Sequence, residues 1–138
     1  MKKDQYENLN TSKKIIKIYL NSAKERIASA KILFKEKKFR DAVSRSYYAF
    51  LDAARAILLT KRKTAKTHAG VLTLFGLEFG KTKEVPKEFF DFYREIKKAR
   101  EEADYELIRK FTKEETKEAI EMAEKFVAYI EKLIKKHI

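Results

Sequence analysis

The run "FRDAVSRSYYAFLDAARAILL", residues 39–59, decides the fold. Wound at about 100° per residue, it is apolar over more than half of its circumference, which suits a helix surrounded by others. It predicts a central helix from Phe39 to Arg62. One stripe is polar: Asp41, Arg45, Tyr48, Asp52, Arg55 and Leu59 follow at steps of four, three, four, three and four, opposite the apolar face. Asp41 with Arg45, and Asp52 with Arg55, are spaced for ion pairs of about 0.3–0.5 kcal/mol when exposed. A tyrosine set among arginines suits an interface or a binding site better than open water.

The flanking sequence supplies helices to surround this one. Upstream, Ile15, Ile16, Tyr19, Ala23, Ile27, Ala30, Leu33 and Phe34 share one face of a helix predicted over Ser12–Lys37. Downstream, Thr67 caps a short helix that ends near Gly80, and Gly76 interrupts its regularity. Pro86 opens a fourth helix to Asp104. The capping box Thr112-Lys-Glu-Glu115 opens a fifth, with Ala119, Ala123, Phe126, Ile130 and Leu133 on its buried face. These elements predict an all-α fold, an antiparallel up-down four-helix bundle with one additional short helix crossing an end. With 138 residues, one proline and three glycines, the chain reads as one domain over 1–138 with its core in about 12–135.

Composition narrows the function classes. The absence of cysteine excludes a disulfide framework and a thiolate metal site, and no metal-ligand cluster, phosphate-cradling glycine loop or Ser/His/Asp triad is recognisable. No cofactor is expected. The lack of a signal-type or membrane-spanning apolar run leads us to expect a soluble, cytoplasmic protein. Abundant Lys and Glu with few side-chain amides lean towards a thermophile. The net charge of +12 is local: residues 1–66 hold 18 Lys+Arg against 6 Asp+Glu, and residues 67–138 hold 15 of each. The clusters "KEKKFR" (35–40) and "TKRKTAKTH" (60–68) lie at predicted helix boundaries. They fit either a polyanion such as nucleic acid or lysines placed at helix C-termini in a solvated surface.

The fourth helix raises a second question. Phe89, Phe92, Tyr93, Ile96, Ala99 and Ala103 fall within one arc of about 120°, and Arg100 falls inside that arc. A guanidinium keeps its proton, so there it needs a carboxylate, a partner subunit or a bound anion. Asp104, four residues on, is spaced to supply the carboxylate.

Taken together, "FRDAVSRSYYAFLDAARAILL" (39–59), "KTHAGVLTLFG" (66–76) and "REEADYE" (100–106) resemble the small prokaryotic HEPN family, marked by a Ser-Arg-x-Tyr-Tyr-Ala helix, a Lys-Thr-His loop and an Arg-x-x-Ala-Asp-Tyr segment. The resemblance implies a four- or five-helix bundle, commonly dimeric, often encoded beside a minimal nucleotidyltransferase. Many such domains are metal-independent ribonucleases, frequently the toxin of a toxin–antitoxin pair. Their site uses an arginine followed four to six residues later by a histidine and is usually completed across a dimer. Arg100 would be that arginine.

This chain departs from the pattern at the histidine. Tyr105 stands five residues after Arg100, and no histidine occurs between positions 69 and 136. Proton transfer from a 2′-hydroxyl suits a group titrating near neutrality, whereas tyrosine ordinarily titrates near 10 and aspartate near 4. The sequence therefore favours a binding module, a dimeric HEPN subunit that engages a nucleotidyltransferase, RNA or a nucleotide through Arg45, Tyr48, Asp52, Arg55, His68 and the Arg100 segment. The alternative is a ribonuclease in which Arg100 holds phosphate and Asp104, Tyr105 or His68 moves protons. A structural helical dimer without a ligand is the third reading. Nothing in the sequence brings His68 near Arg100, which favours a capping or packing role for it, and His137 reads as solvated.

Overall fold

The computed structural model describes residues 2–105 and 109–138, with side chains from residue 11 onward. Helix α1 spans Lys2–Lys35, α2 Phe39–Thr60, α3 His68–Phe75, α4 Lys87–Tyr105 and α5 Lys113–His137. The all-helical class is as the sequence predicts. α1 starts well before the expected Ser12: neither glycine nor proline interrupts residues 1–35, so Thr11 and Ser12 lie inside the helix.

The pairing of side chains fixes the topology. Lys24 reaches Glu131 and Lys31 reaches Glu124, so α1 and α5 run antiparallel. Ser22 and Arg26 of α1 meet Asp52 of α2, and Arg100 of α4 meets Tyr48 of α2 while Phe92 meets Phe50. α2 is therefore antiparallel to both α1 and α4, as an up-down bundle requires. Its centre is buried on nearly every side: Tyr47, Ala49, Phe50, Ala53, Ala54, Ala56 and Ile57 have no exposed surface.

Around α2 the aromatic rings form one continuous set. Phe50 stacks on Phe126 with centroids 4.6 Å apart, and Phe75 packs on Phe90 at 4.8 Å and edge-on to Phe126 at 5.6 Å. Such pairs each add about 0.5–1.5 kcal/mol beyond the area they bury. Through Val71, Phe75 and Phe79 the α3 segment is anchored in this core. The chain widens into a π-helical turn over Gly76–Gly80, beginning at the glycine that marked the irregularity.

The turns use cations where glycine is usual. After α1, Lys38 N–H donates to Leu33 O and Lys37 N–H to Phe34 O; after α2, Lys63 N–H donates to Leu58 O and Arg62 N–H to Leu59 O. Both are Schellman-type closures, and their left-handed residues are Lys37 (φ 60°) and Arg62 (φ 56°). Arg62 thus lies outside α2, which stops at Thr60. One side-chain placement departs from the sequence reading. Ile15, assigned to the buried face of α1, is 37% exposed. His137 is exposed, as the sequence suggests, and also pairs, its Nε2 lying 2.6 Å from Glu84 Oε2 beside the Phe79 ring. The pair holds the Glu84 carboxyl below its ordinary range.

Two substitutions test this description. Lys37→Gly removes a side chain from a left-handed position and is expected to raise unfolding stability by about 0.5–1 kcal/mol in urea titration. Thr67→Ala removes the oxygen that accepts the Gly70 N–H at 2.9 Å and is expected to cost about 1 kcal/mol.

Candidate functional site

Three separate elements deliver side chains to one place on the α2 surface. From mid-α2 come Tyr47, fully buried, and Tyr48, half-buried. His68 comes from the first turn of α3. Its position follows from the Thr67 cap, and the cap in turn requires Gly70, because a Cβ there would sit 2.8 Å from Thr67 Oγ1. Arg100 comes from the last turns of α4. The His68 ring lies 5.9 Å from Tyr47 and 5.7 Å from Tyr48, centroid to centroid. The Arg100 guanidinium carbon lies 5.3 Å and 5.0 Å from the same two rings. The folded chain thus brings His68 and Arg100 to the same pair of rings, close enough for the guanidinium charge to act on the imidazole, a proximity with no signal in the sequence.

The arginine is held in a definite way. Its Nη2 donates to the Tyr48 hydroxyl at 2.9 Å and lies 3.2 Å from Asp104 Oδ2. Arg100 Nε is sealed from solvent without an acceptor among the described residues. Both bonds fall on Nη2, so among the described residues Nη1 is left for another acceptor. Cation–π contact contributes about 0.5–2 kcal/mol, increasing as the pair is desolvated, and offsets part of the cost of the orphaned Nε–H.

Burial and neighbouring charges together favour the neutral form of the histidine. Burial lowers the His68 pKa from its ordinary value, and the positive charges of Arg100, Arg55 and Lys97 push it further down, against a smaller opposing effect of Glu101. His68 is therefore the neutral imidazole at pH 7, with a nitrogen free to accept a proton. Burial dominates at Tyr47, whose hydroxyl is pushed up to about 12 despite the nearby Arg100, and that hydroxyl has no partner among the described residues.

The remaining stripe residues divide. Asp52 is buried and turns to α1, accepting from Ser22 Oγ at 2.7 Å and from Arg26 Nε at 3.4 Å. The Asp52–Arg55 and Asp41–Arg45 pairs predicted from spacing are not formed among the described residues. The reason is helix position: Asp52 points into the α1–α2 seam, where a hydroxyl and a guanidinium compensate its burial. Arg26 also lies 5.3 Å from the Tyr48 ring, so Tyr48 joins α1, α3 and α4. Arg55 reaches the site through its field on His68 and Tyr47. Arg45 is exposed beside a polar cavity lined by Ser22, Glu25, Arg26 and Ser29. Tyr105 is 89% exposed and stands apart from the cluster. Sequence reasoning missed Arg26, Tyr47 and Lys97. The adjacency of Tyr47 to Tyr48 and the three-residue step from Lys97 to Arg100 were the available signals.

The described residues thus form a helical bundle in which an arginine and a histidine of lowered pKa pack against the same two tyrosine rings. The chain belongs to the HEPN domain family, whose model matches residues 16–133. A Thermotoga maritima protein named "UPF0332 protein" is 39% identical over 126 residues, 91% of this chain and 96% of its own. A Methanocaldococcus jannaschii protein named "Putative toxin" is 40% identical over 120 residues, 87% of this chain and 89% of its own. A second protein of that name from the same organism is 33% identical over 120 residues, 86% of this chain and 82% of its own. Among the described residues no helix is long and apolar enough to cross a membrane.

The platform makes a stability prediction. Tyr47→Phe deletes a buried hydroxyl without a partner and is expected to leave the urea midpoint unchanged or raised. Tyr48→Phe deletes the acceptor of Arg100 and is expected to cost about 1 kcal/mol. A greater loss in Tyr47→Phe than in Tyr48→Phe would contradict the assignment.

Proposed function

We propose that this protein is a metal-independent endoribonuclease of the toxin-like HEPN type, with Arg100 binding the scissile phosphate and His68 acting as the general base. The observation that carries the reading is that His68 and Arg100 pack against the same Tyr47–Tyr48 rings, with the arginine's charge acting on the imidazole. The sequence alone favoured a binding module without efficient catalysis because the histidine near Arg100 was missing; a histidine from another helix supplies the missing chemistry.

In the proposed reaction the neutral His68 takes the proton of an RNA 2′-hydroxyl. The 2′-oxygen attacks phosphorus, the bond from phosphorus to the 5′-oxygen breaks, and that oxygen takes a proton from solvent water. The products are a 2′,3′-cyclic phosphate and a 5′-hydroxyl. Arg100 Nη1 faces the negative charge that builds on the phosphoryl oxygens, and Asp104 and Tyr48 keep the guanidinium from swinging away. A positioned base and a charge clamp are each worth about 10²- to 10⁴-fold in rate.

The partner reading rests on the relatives named as toxins. We infer a dimer restrained by an antitoxin-type partner, with a minimal nucleotidyltransferase as the class implied by the family resemblance. One observation favours the binding-module reading instead: Arg100 already has a carboxylate at 3.2 Å, which weakens its pull on phosphate.

The test is cleavage of a defined single-stranded RNA by purified protein in excess EDTA. Cleavage is expected to fall at least 100-fold in Arg100→Ala and in His68→Ala, and to change far less in Tyr105→Phe. Because the base must be unprotonated and its pKa is lowered, the acid limb of the rate profile should fall below the ordinary histidine value of about 6.5. RNA retained in a salt-sensitive complex without cleavage would return the assignment to a binding module.

A further inference from the structure

A cavity of about 200 Å³ opens between the α1 face and the C-terminal end of α2. Its walls are largely apolar: Ile15, from the apolar face of α1, and Leu59, from the polar stripe of α2, are both left partly exposed there. Arg55 and Lys63 border it, and none of the residues lining it is acidic. Sites for drug-sized ligands span about 300–1,000 Å³, so this one is scaled to a single ring system. Arg55 belongs to two places at once, bordering the cavity while its charge acts on His68 and Tyr47.

We propose that the cavity formed by Ile15, Tyr19, Leu58 and Leu59 is a subsite for one unpaired RNA base, whose flanking phosphate lies on Arg55 and Lys63. The inference deepens the ribonuclease reading and rests on it for the identity of the ligand. The physical case is complementarity of both kinds. A nucleotide joins a flat apolar face to a fixed negative charge, and the cavity joins apolar walls and the Tyr19 ring to two cations without a carboxylate between them. A base can enter only when splayed from its neighbours, so the subsite selects single strands over duplex. Continuity through Arg55 would hold the strand in one register across the Arg100–His68 pair.

The experiment is an NMR titration of the protein with uridine and adenosine 5′-monophosphate, and with inorganic phosphate as the control. Amide and methyl signals of Ile15, Tyr19 and Leu59 are expected to shift with the nucleotides, to saturate, and to stay in place with phosphate. Ile15→Glu, at a partly exposed wall, should keep the helical circular dichroism and weaken nucleotide binding at least tenfold; Lys63→Ala, in an exposed turn, should weaken it about threefold. The titration is repeated on His68→Ala, which binds regardless of whether the protein cleaves RNA, so a failed ribonuclease assay leaves this result readable. Equal shifts with phosphate alone would overturn the subsite. So would shifts at these residues that follow protein concentration without nucleotide, because a second copy would then fill the cavity. Where cleavage is observed, unchanged KM for single-stranded RNA in Ile15→Glu would also overturn it.

Discussion

The site depends on one permanent cation held against two aromatic rings. Arg100 cannot be neutralised, so its place on the core-facing side of α4 is tolerable only because Tyr47 and Tyr48 offer ring faces, the Tyr48 hydroxyl accepts a hydrogen bond and Asp104 balances the charge. That arrangement fixes what surrounds it. α4 must cross α2 at the paired tyrosines, and His68 sits where burial first and the guanidinium charge second lower its pKa. Both internal polar partners engage Nη2, which leaves Nη1 without one among the described residues.

Much of the bundle was legible because its signals are local and mutually consistent. The all-round apolarity of 39–59, the Thr67 and Thr112 caps, and the three- and four-residue spacing of Ala119, Ala123, Phe126, Ile130 and Leu133 report burial and helix ends directly, and all five of those α5 residues are buried. The turns were less legible. Lys37 and Arg62 adopt the left-handed conformation that glycine usually marks, and a lysine or arginine there carries no sequence signal. This also gives the two basic clusters a structural role, since each contains the residue that ends a helix.

The candidate site was half legible. Arg100 and Tyr48 stood out as polar groups on or beside apolar faces, and both belong to the cluster. His68 could not be assigned because its neighbours are 20 and 32 residues away in sequence, and only the path of α3 from its anchor at Val71 and Phe75 brings it back over α2. Helical spacing also misled at Asp52 and Arg55. The three-residue step permits an ion pair, but tertiary contact decides it, and Ser22 and Arg26 across the seam compete for the carboxylate.

The most direct test of the central claim is the titration of His68 followed by NMR of its ring protons, in the wild-type protein and in Arg100→Gln. If the two side chains share one field, His68 titrates below 6.5 in the wild type and moves upward once the guanidinium is gone. An identical midpoint in both proteins, or a wild-type value above 6.5, would mean that the histidine and the arginine do not form a single site.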